Sequence, residues 1–588
     1  MYCNNKSYRK AFFTLLIFLI IFFYLGPWFL RYTFNTATTF QIDPLERCLN
    51  NHLNVFLSDE RNFDAYITKL DTKNGFLPYI GNGLIGFAVD ADPALFVTSR
   101  RVLSTHVPFR PAVFVEVDGA GESASAVVMH YTSGVVHKFE CVSKRRSSID
   151  ISISYYAHRI LPSIYVQDIK IINPLGEDID VDLSQSGAKY WPDATVAVHE
   201  LHVNNIVQKV DLIYGTVKMQ RENMAFSIAQ TKVPKSLSVK AQSSNSLHIV
   251  TSVHFVEGNS NERVKEELTM AATMDLERAL GVNYRKFRED HVKVWNQLWS
   301  PGVSISYSKA IDALNGDKIN ATLYYLLSNS RTLLAEVDLE EARRSQLIAQ
   351  FNDPDKCYAG HHTLQASKLW SDLNTLDEIL RVTSMWKLTL EKQGCHTMMQ
   401  AGADGVLQAA LLSFGAFKFS GHHLEFGMQP KDLHRDYLFR RISYGNSTHL
   451  NISVVVGEDN KAALYAVLDR SDRNYYACDG GCLDPPIQLS QEKVVLPVKR
   501  TDPPTAVLYI TSNKQHMIEL KDAIHFHEIV EAPAHEHHVI ALHRHGHHFG
   551  GLPTIFWVSI SFLVAVFHLF LFKLIYNEYC AYQGRYRM

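Results

Sequence analysis

Between Phe76 and about Val256 the apolar residues recur mainly at every second position, in short runs bounded by Gly, Pro, Asn and Ser. This alternation is typical of strands with one buried and one solvated face, and it predicts a large antiparallel β-sandwich. The runs that carry the pattern are ALFVTSRRVL, AVFVEVDG, GVVHKFECVSK, SIDISISYYA, SIYVQDIKIINP, DIDVDLSQ, MAFSIAQT, LSVKAQ and HIVTSVHFV.

The spacing becomes helical over 263–299, where His291, Trp295 and Trp299 follow one another at intervals of four residues. Such spacing places the three side chains on one helical face, which we interpret as core packing rather than as a sugar-stacking surface. A few further helical stretches are expected up to about residue 394, and β alternation returns beyond Gly405.

The predicted fold class is mainly β with an α-helical insert: a large antiparallel β-sandwich, a linker helix, a short helical region, a small C-terminal β-sandwich and transmembrane helices. The predicted boundaries are 1–10 for a cytosolic tail, 11–30 for a signal anchor or signal peptide, 32–262 for the first sandwich, 263–300 for the linker helix, 301–401 for the helical region, 402–520 for the second sandwich, 521–551 for a His-rich juxtamembrane segment, 552–572 for a transmembrane helix and 573–588 for a second cytosolic tail.

Two apolar runs, 11–30 and 552–572, are long enough to cross a bilayer, and the second contains His568. Basic residues precede the first run and follow the second, which predicts that both ends are cytosolic and that the chain between them is lumenal or extracellular. The first run is interpreted as a retained anchor, because Ala37 is its best cleavage position and Asn35 fits the required small residue poorly. The expected location is a secretory-pathway membrane, in the endoplasmic reticulum, the Golgi or the cell surface.

Six of the eight cysteines fall in the predicted lumenal part, and an even number in an oxidising compartment predicts three disulfides. Many pairings are possible, and only Cys478 with Cys482 is favoured, since the two glycines between them permit a tight loop. The other four cysteines are Cys48, Cys141, Cys357 and Cys395. Lumenal glycosylation sequons begin at Asn320, Asn446 and Asn451.

Charge and motifs exclude several classes of function. The formal net charge is −2, and the short basic run at 144–146 is interpreted as a solvated turn, so no nucleic-acid partner is expected. The sequence contains no phosphate loop, dinucleotide fingerprint, nucleophile elbow or zincin motif, so no cofactor and no metal site are predicted.

A histidine-rich segment precedes the second apolar run. We interpret it as a solvated spacer, while loose metal binding and pH sensing stay open as alternatives. The pairs His361–His362 and His422–His423 are interpreted as surface or core-edge residues rather than ligands. The histidines of the segment are His525, His527, His535, His537, His538, His543, His545, His547 and His548.

The predicted order of elements resembles the maltose and kojibiose phosphorylase type of glycosidase, glycoside hydrolase family sixty-five, over most of 75–460. The sequence NGLIG at 82–86 is similar to the early NGYLG turn of that family. HVKVWNQLW followed by INATLYYLL is similar to its linker helix and first barrel helix. GVLQ at 405–408 with LLSFGAFKF is similar to the opening of its C-terminal domain.

The resemblance also implies that the inherited catalytic machinery is missing. The helical barrel of that family has about twelve helices, whereas only about 90 residues separate Asn320 from the C-terminal domain here. The barrel motif GHxFWDxE has its counterpart in GHHTLQASKLW at 360–370, and no acid occurs between Cys357 and Ser371. Glycoside cleavage by the usual mechanism needs two carboxyl groups about 5–10 Å apart, so we expect a pseudoenzyme without catalytic residues.

Two further motifs, ACDGGCLDPP and FHLFLFKLIYNEYC, resemble a family of uncharacterised animal single-pass type I membrane proteins. A type I topology would require cleavage of the first span, which conflicts with the retained anchor favoured above. The expected function is a membrane-anchored, non-catalytic glycosidase-like module that binds a glycan or glycoprotein client, or acts as a scaffold. A residual glycoside hydrolase or phosphorylase acting on α-glucosides, and a structural subunit of a membrane complex, stay open as alternatives.

Overall fold

The computed structural model describes residues 43–69, 75–89, 93–144, 147–219, 223–258, 261–352, 357–445, 447–546 and 554–584. The predicted first span at 11–30, the sequon residue Asn446 and the histidines His547 and His548 lie outside the described residues, so the predictions that concern them stay predictions.

Alternating apolar positions form strands over the first half of the chain. The strands described before residue 258 are β1 (Ala65–Lys69), β2 (Tyr79–Gly81), β3 (Ile85–Ala88), β4 (Leu95–Ser99), β5 (Val102–Val107), β6 (Arg110–Val117), β7 (Ser123–His130), β8 (Val135–Lys144), β9 (Ser147–Ala157), β10 (Ile164–Asn173), β11 (Ile179–Gly187), β12 (Thr195–Val203), β13 (Ile206–Val217), β14 (Met224–Thr231), β15 (Ser236–Val239) and β16 (Ser243–Glu257).

These strands are antiparallel and form three sheets. The largest has nine strands in the order β1-β7-β8-β9-β10-β16-β14-β13-β12, and the smaller sheets are β2-β3-β4-β5 and β15-β11-β6. The inner face of the nine-stranded sheet contributes Ile151, Ile153, Ile169 and Ile171 to the main core, which it shares with the smaller sheets. The expected mainly β architecture is thereby confirmed.

Helices follow and flank the large sheets. They are α1 (Pro44–Leu53), α2 (Leu57–Arg61), α3 (Glu262–Gly281), α4 (Tyr284–Trp299), α5 (Gly316–Ser328), α6 (Glu341–Asn352), α7 (Leu376–Leu390), α8 (His396–Met399), α9 (Ala403–Phe414), α10 (Lys514–Ala523), α11 (His537–His545) and α12 (Thr554–Gly584). Short 3-10 turns occupy 333–335, 363–365, 367–370 and 430–432, and a π-helical turn occupies 391–395.

The C-terminal strands form two five-stranded sheets, β17-β20-β21-β22-β25 and β18-β19-β27-β23-β24, and the pair β26-β28. Their bounds are β17 (Gly302–Ile305), β18 (Phe417–Ser420), β19 (His423–Phe426), β20 (Tyr437–Tyr444), β21 (Thr448–Val456), β22 (Ala462–Arg470), β23 (Tyr476–Asp479), β24 (Ile487–Gln488), β25 (Val494–Pro497), β26 (Lys499–Asp502), β27 (Leu508–Thr511) and β28 (Glu528–Glu531).

Two expected elements differ from the structure. The single linker helix over 263–300 is two helices, because Val282 is extended and the Asn283 side chain caps α4 by accepting a hydrogen bond from the Arg285 amide. The expected β signal just beyond residue 402 belongs to helix α9, which is buried along almost its whole length. An apolar run of this kind does not distinguish a buried helix from a strand by periodicity.

Arg159 joins the first sandwich to the helices. The residue lies between β9 and β10 and is 1% exposed. Its guanidinium donates hydrogen bonds to the carbonyl oxygen of Leu327 (2.9 Å), at the end of α5, and to that of Ser330 (2.7 Å), just beyond the helix. It also lies 4.3 Å from the ring centroid of Trp295 in α4. One buried cation therefore holds the sheet, α4 and the end of α5 together.

The NGLIG motif lies against the same helix end. The Asn82 side chain donates to the carbonyl oxygens of His158 and Pro162, each at 2.8 Å, and accepts from the amides of Leu84 and Ile85. The next residue is Gly83, whose φ of 84° is left-handed. The motif is a structural joint in this protein, because all hydrogen bonds of the Asn82 amide are used within the fold.

The face of α4 that carries the aromatic residues is largely core, as expected from its spacing. His291 and Trp295 are fully buried, and Trp299 is half-buried with its indole nitrogen donating to Asp64 Oδ1 at 2.8 Å. The sugar-stacking interpretation of this face is not supported by its burial.

The histidine-rich segment is folded onto the protein, so the expectation of a solvated spacer is wrong for its described part. Residues 528–531 form β28 against β26, and α11 buries Ile540 and Ala541. His543 Nδ1 shares a hydrogen bond of 2.8 Å with the Ser308 hydroxyl, and the His543 ring stacks on His434 at 4.7 Å. Apolar burial and these polar contacts together dock the helix.

Helix α12 contains an apolar stretch, Ile555–Glu578, that is long enough to span a membrane. An 18-residue window of this stretch has a mean hydropathy of 2.4, and the stretch ends later than the predicted span at 552–572. It is the one candidate span among the described residues.

Replacement of Gly83 by Ala is expected to destabilise the joint in two ways. A left-handed alanine costs about 1 kcal/mol, and a Cβ at this position would overlap the backbone of Ser330 and Arg331, which adds about 1–3 kcal/mol. Gly119→Ala is the matched control, because Gly119 has φ of 65° but an added Cβ meets nothing within 4 Å. Equal losses of unfolding free energy in chemical denaturation of the two variants would contradict the close packing of the joint.

Acidification is expected to weaken the docking of α11. Burial, followed by the nearby His434 and Arg435, lowers the pKa of His543 to about 4. The docked state therefore binds fewer protons than the undocked state, whose histidine titrates near 6.5. The free energy with which α11 docks is therefore greatest above about pH 6.5, and it decreases as the pH falls from 6.5 towards 4.

Amide hydrogen exchange over 537–546, corrected for the intrinsic pH dependence of exchange, measures this change. His543→Gln should reduce the pH dependence, whereas His545→Gln, an exposed position on the same helix, should leave it as in the unmodified protein. A pH profile unaltered by His543→Gln would remove this residue as the cause.

Candidate functional site

The outer face of the nine-stranded sheet is covered by helices only in part. Helix α1 packs Leu45, Leu49 and Leu53 on the edge formed by β1, β7 and β8. Helices α3 and α4 cover the other side, where Leu276 and Phe287 belong to the cluster over strands from β10 to β12. Between the two coverings the sheet is open, and the opening is a cleft of about 420 Å³.

The floor of this cleft, called here the groove, is a grid of side chains from four neighbouring strands. One row across the sheet is His137, Ser154, Asp168 and His248, in which adjacent members are direct cross-strand partners. The second row is Phe139, Ser152, Lys170 and Ser246, paired in the same way. Outward-facing residues of adjacent strands lie about 4.5–5.5 Å apart at Cβ, so the rows form two polar tracks.

Members of the first row are hydrogen-bonded in pairs. His137 Nδ1 and the Ser154 hydroxyl are 2.9 Å apart, and His248 Nδ1 lies 2.7 Å from Asp168 Oδ1. The Arg288 guanidinium approaches the other oxygen of Asp168 to 4.0 Å. The Tyr284 ring stacks on His248 with centroids 4.0 Å apart. The side chains at this end of the groove are therefore held in place before any ligand binds.

The opposite wall is the C-terminal half of α1. His52 stacks on Phe139 with centroids 4.6 Å apart, and His52 Nε2 lies 2.8 Å from Asp150 Oδ2. A disulfide between Cys48 and Cys141 ties the same helix to β8. The wall is thus attached by a covalent bond, by the contact between His52 and Asp150, and by a stacked ring.

Electrostatics keep one imidazole of the floor neutral. Burial, followed by the positive charge of Arg288 and the neighbouring His130, holds the pKa of His137 well below its usual value. A neutral imidazole can donate one hydrogen bond and accept another, so His137 and Ser154 form a pair without net charge.

A cation site on this wall does not fit the donor set. Cys48, His52 and Asp150 each have one possible ligand atom, and these three atoms lie within 4.8 Å of one another, close enough to surround a metal ion. Metal binding by cysteine requires a thiolate, whereas the Cys48 sulfur is bonded to Cys141.

The structure pairs the remaining predicted cysteines as Cys357 with Cys395 and Cys478 with Cys482. The first disulfide connects the start of the segment before α7 with the π-helical turn after it, and the second closes the turn at the end of β23.

The described sequon residues have unequal surroundings. Asn320 lies half-buried in α5, and its Nδ2, the atom that would carry a glycan, donates to the Phe63 carbonyl oxygen at 3.0 Å. A glycan there would remove this contact, so the structure disfavours the predicted site at Asn320. Asn451 is half-buried on β21 with its Oδ1 accepting from the Arg441 amide at 2.8 Å, and its glycosylation stays a prediction.

The counterpart of the enzyme barrel motif is a packing segment. Residues 360–370 form two 3-10 turns, in which the Trp370 indole donates to the Thr363 carbonyl oxygen at 2.8 Å and its ring packs edge-on against Trp386. His362 Nε2 lies 3.4 Å from Asp432, while His361 is exposed. The core-edge and surface interpretations of this histidine pair are confirmed.

Two titratable groups of the helical region have shifted pKa values. Burial raises the pKa of Asp404 in α9 to about 6 and lowers that of Lys387 in α7 to about 7. The Lys387 amine donates to the carbonyl oxygens of Arg101 (2.7 Å), in the turn between β4 and β5, and of Asn329 (2.6 Å), directly after α5. Its hydrogen bonds therefore connect α7 to these two segments. Three clefts of about 340 to 430 Å³ lie along α4.

Sequence reasoning did not identify the groove. Its outward positions on β8, β9, β10 and β16 are the polar members of ordinary alternating strands, which usually face solvent. The signal that points to a site is that β10 pairs with β16, which makes distant segments of the chain neighbours.

The chain matches, over residues 3–588, a family model described as "Uncharacterized conserved protein (DUF2152)". It is 31% identical over 515 residues to the "Uncharacterized protein KIAA2013 homolog" of Xenopus tropicalis, covering 85% of this chain and 82% of that protein. The homolog of Xenopus laevis is 30% identical over 515 residues, covering 85% and 83% respectively.

Two solved structures are similar to parts of the chain. A putative kojibiose phosphorylase from the human microbiome has a TM-score of 0.33 and 12% identity, covering 45% of this chain and 41% of that chain. A bacterial glucoamylase complexed with acarbose has a TM-score of 0.25 and 9% identity, covering 45% and 44%. Likeness at this level supports no inference about activity.

Removal of the Cys48–Cys141 disulfide is expected to loosen the α1 wall. The bond closes a loop with a sequence separation of 93, so its loss in a Cys48→Ser, Cys141→Ser variant should cost about 2–5 kcal/mol. Hydrogen exchange over 44–53 should rise together with a fall in the thermal midpoint. The Cys478→Ser, Cys482→Ser variant is the control, since its separation is only 4 and the entropic effect should be smaller. Unchanged exchange in α1 would contradict the role of the disulfide in positioning the wall.

Proposed function

The chain belongs to this family of conserved proteins, and we propose that it acts at a secretory-pathway membrane as a non-catalytic module that binds a glycan or glycoprotein client. The groove on the outer face of the nine-stranded sheet is the proposed binding site. If the bound glycan is attached to another protein, the same binding would hold that protein at the membrane and so act as a scaffold.

The observation that carries the proposal is the organised polar floor between two helical walls. Ser154 and Ser152 of β9 lie next to His137 and Phe139 of β8, and Ser246 and His248 of β16 lie beyond Lys170 and Asp168 of β10. Hydroxyl and imidazole groups both donate and accept, which suits a ligand rich in hydroxyl groups. The exposed ring of Tyr284 at one wall offers an aromatic surface of the kind that packs against apolar ring faces.

Two features support a non-catalytic role. Usual glycoside cleavage needs two carboxyl groups facing one substrate. Asp168 is the one carboxylate among the groove-lining residues, and it is already bonded to His248. In the helical region, Glu336 is ion-paired with Arg331, and Asp404 lies beside the closely packed joint around Arg159.

The membrane part of the proposal is supported by the apolar stretch Ile555–Glu578 of α12. Basic residues after this stretch favour a cytosolic C-terminus and therefore a lumenal or extracellular groove. The three disulfides suit an oxidising compartment. In this arrangement the groove faces the compartment in which glycoproteins are made or displayed.

A glycan array probed with the full-length protein in detergent tests the proposal. At least one glycan class should be retained, and Ser246→Trp, which fills the floor of the groove, should weaken retention by about tenfold or more. Ser244→Trp is the matched control, because it lies on the same strand and face and is exposed but does not line the groove. Retention no better than that of an unrelated membrane-anchored lumenal protein would refute binding.

Turnover assays test the non-catalytic part separately. The same preparation, incubated with maltose or kojibiose in the presence and absence of phosphate, should release neither glucose nor glucose 1-phosphate. Release that exceeds the background of an unrelated membrane protein prepared in parallel would show that the chain is an enzyme.

A further inference from the structure

The groove continues along helix α4. A second cleft of about 340 Å³ shares Tyr284 and Arg288 with the groove, and a third of about 430 Å³ shares Glu289 and Val292 with the second. Because they share lining residues, the three clefts lie side by side along α4, and together they are called here the furrow. Helix α4 has 16 residues, so the furrow follows it for about 24 Å.

The furrow is positively charged, although the whole chain has a formal net charge of −2. Its lining contains five cationic and two anionic side chains. The cations are Lys170, Arg285, Arg288, Lys293 and Arg441, and the anions are Asp168 and Glu289.

Part of this charge is already neutralised within the protein. Arg288 lies 4.0 Å from Asp168, and Arg441 Nε lies 2.9 Å from Asp469 Oδ2. Lys170 and Lys293 are exposed and have no ion-pair partner among the described residues. These two lysines lie in the first and the third cleft, so unneutralised positive charge occurs at both ends of the furrow.

We propose that the furrow binds an extended acidic oligosaccharide, with its hydroxyl groups on the serine and histidine floor and its anionic groups against Lys170, Arg288 and Lys293. This inference rests on the proposed function and adds to it the charge and the length of the ligand. The anionic group is a planar carboxylate or a tetrahedral sulfate, and both accept hydrogen bonds from lysine and arginine.

An acidic peptide fits the furrow less well. Peptides that bind sheets usually pair their backbone with a free strand edge. The floor strands β8, β9, β10 and β16 are interior strands of the nine-stranded sheet, so their backbone groups already bond to neighbouring strands. Recognition in the furrow must therefore come from side chains, which here offer hydroxyl, imidazole and cationic groups.

Binding of defined oligosaccharides to the full-length protein in zwitterionic nanodiscs tests the proposal. The probes are a hyaluronan-type hexasaccharide that carries carboxylates, a heparin-type hexasaccharide that also carries sulfates, neutral maltohexaose, and a hexaglutamate peptide. At least one acidic hexasaccharide should bind about tenfold more tightly than maltohexaose, and its affinity should fall as salt is raised. Whichever of the two binds more tightly identifies the preferred anion.

Charge reversal at the two unpaired lysines should weaken this binding by about tenfold, because two favourable contacts become repulsive. The variant is Lys170→Glu with Lys293→Glu, and both positions are exposed. Lys286→Glu is the matched control, since this exposed residue of α4 does not line the furrow.

The outcomes separate the two proposals. Binding of maltohexaose as tightly as the acidic probes, with loss on Ser246→Trp, would overturn the acidic ligand and leave glycan binding in place. Equal or tighter binding of hexaglutamate would replace the oligosaccharide by an acidic peptide. Binding of no saccharide would overturn both proposals, and equal effects of the double reversal and of Lys286→Glu would remove the furrow as the site.

Discussion

The buried guanidinium of Arg159 is the interaction on which the relation between sheets and helices depends. A buried arginine is costly unless its charge is compensated by hydrogen bonds. The two terminal nitrogens of Arg159 donate to the carbonyl oxygens of Gly81, Leu327 and Ser330 and to the Thr332 hydroxyl, whereas Nε has no hydrogen-bond partner among the described residues. Burial lowers its pKa to about 9, with Asp404 and Glu336 among the groups that oppose this shift, so the cation persists at neutral pH.

This joint decides where a ligand has room. Glycines at 81, 83, 86 and 402 allow backbone segments to approach so closely that an added Cβ would overlap a neighbour at each position. The space between the sandwich and the helices is consequently filled by protein. The outer face of the nine-stranded sheet is different, since α1 and the pair α3 and α4 cover its two sides and leave the groove between them.

Much of the fold was predictable, and the failures have local causes. The hairpin of β12 and β13 was missed, although Asn204 and Asn205 have the positive φ values of a two-residue turn. Most residues of β12 before Leu201 are exposed, so the hairpin lacks the alternation that identified the other strands. Helix α9 was misread because an apolar segment that is buried on all sides has no periodic pattern.

Around the candidate site, too, some features could be predicted from the sequence and others could not. Cysteine number and the apolar span could be predicted from sequence because each is a property of composition or of one continuous segment. The disulfide partners could not, apart from Cys478 with Cys482, since the other pairs are separated by 38 and 93 positions. The described histidines of the juxtamembrane segment could not be assigned to α11 and β28 either, because their docking depends on surfaces formed elsewhere.

The sequence by itself determined that apolar and polar residues alternate along the strands, that most strands have one polar face, and that apolar runs long enough to cross a membrane occur near both ends. Only the tertiary structure decided that Ser154, Asp168 and His248 meet on one floor, because cross-strand neighbours follow from strand order and register. It also decided that Arg288 and His52 stand on opposite walls of that floor. A pattern along the chain records which side of a strand is polar, whereas a site requires polar sides of distant strands to become adjacent.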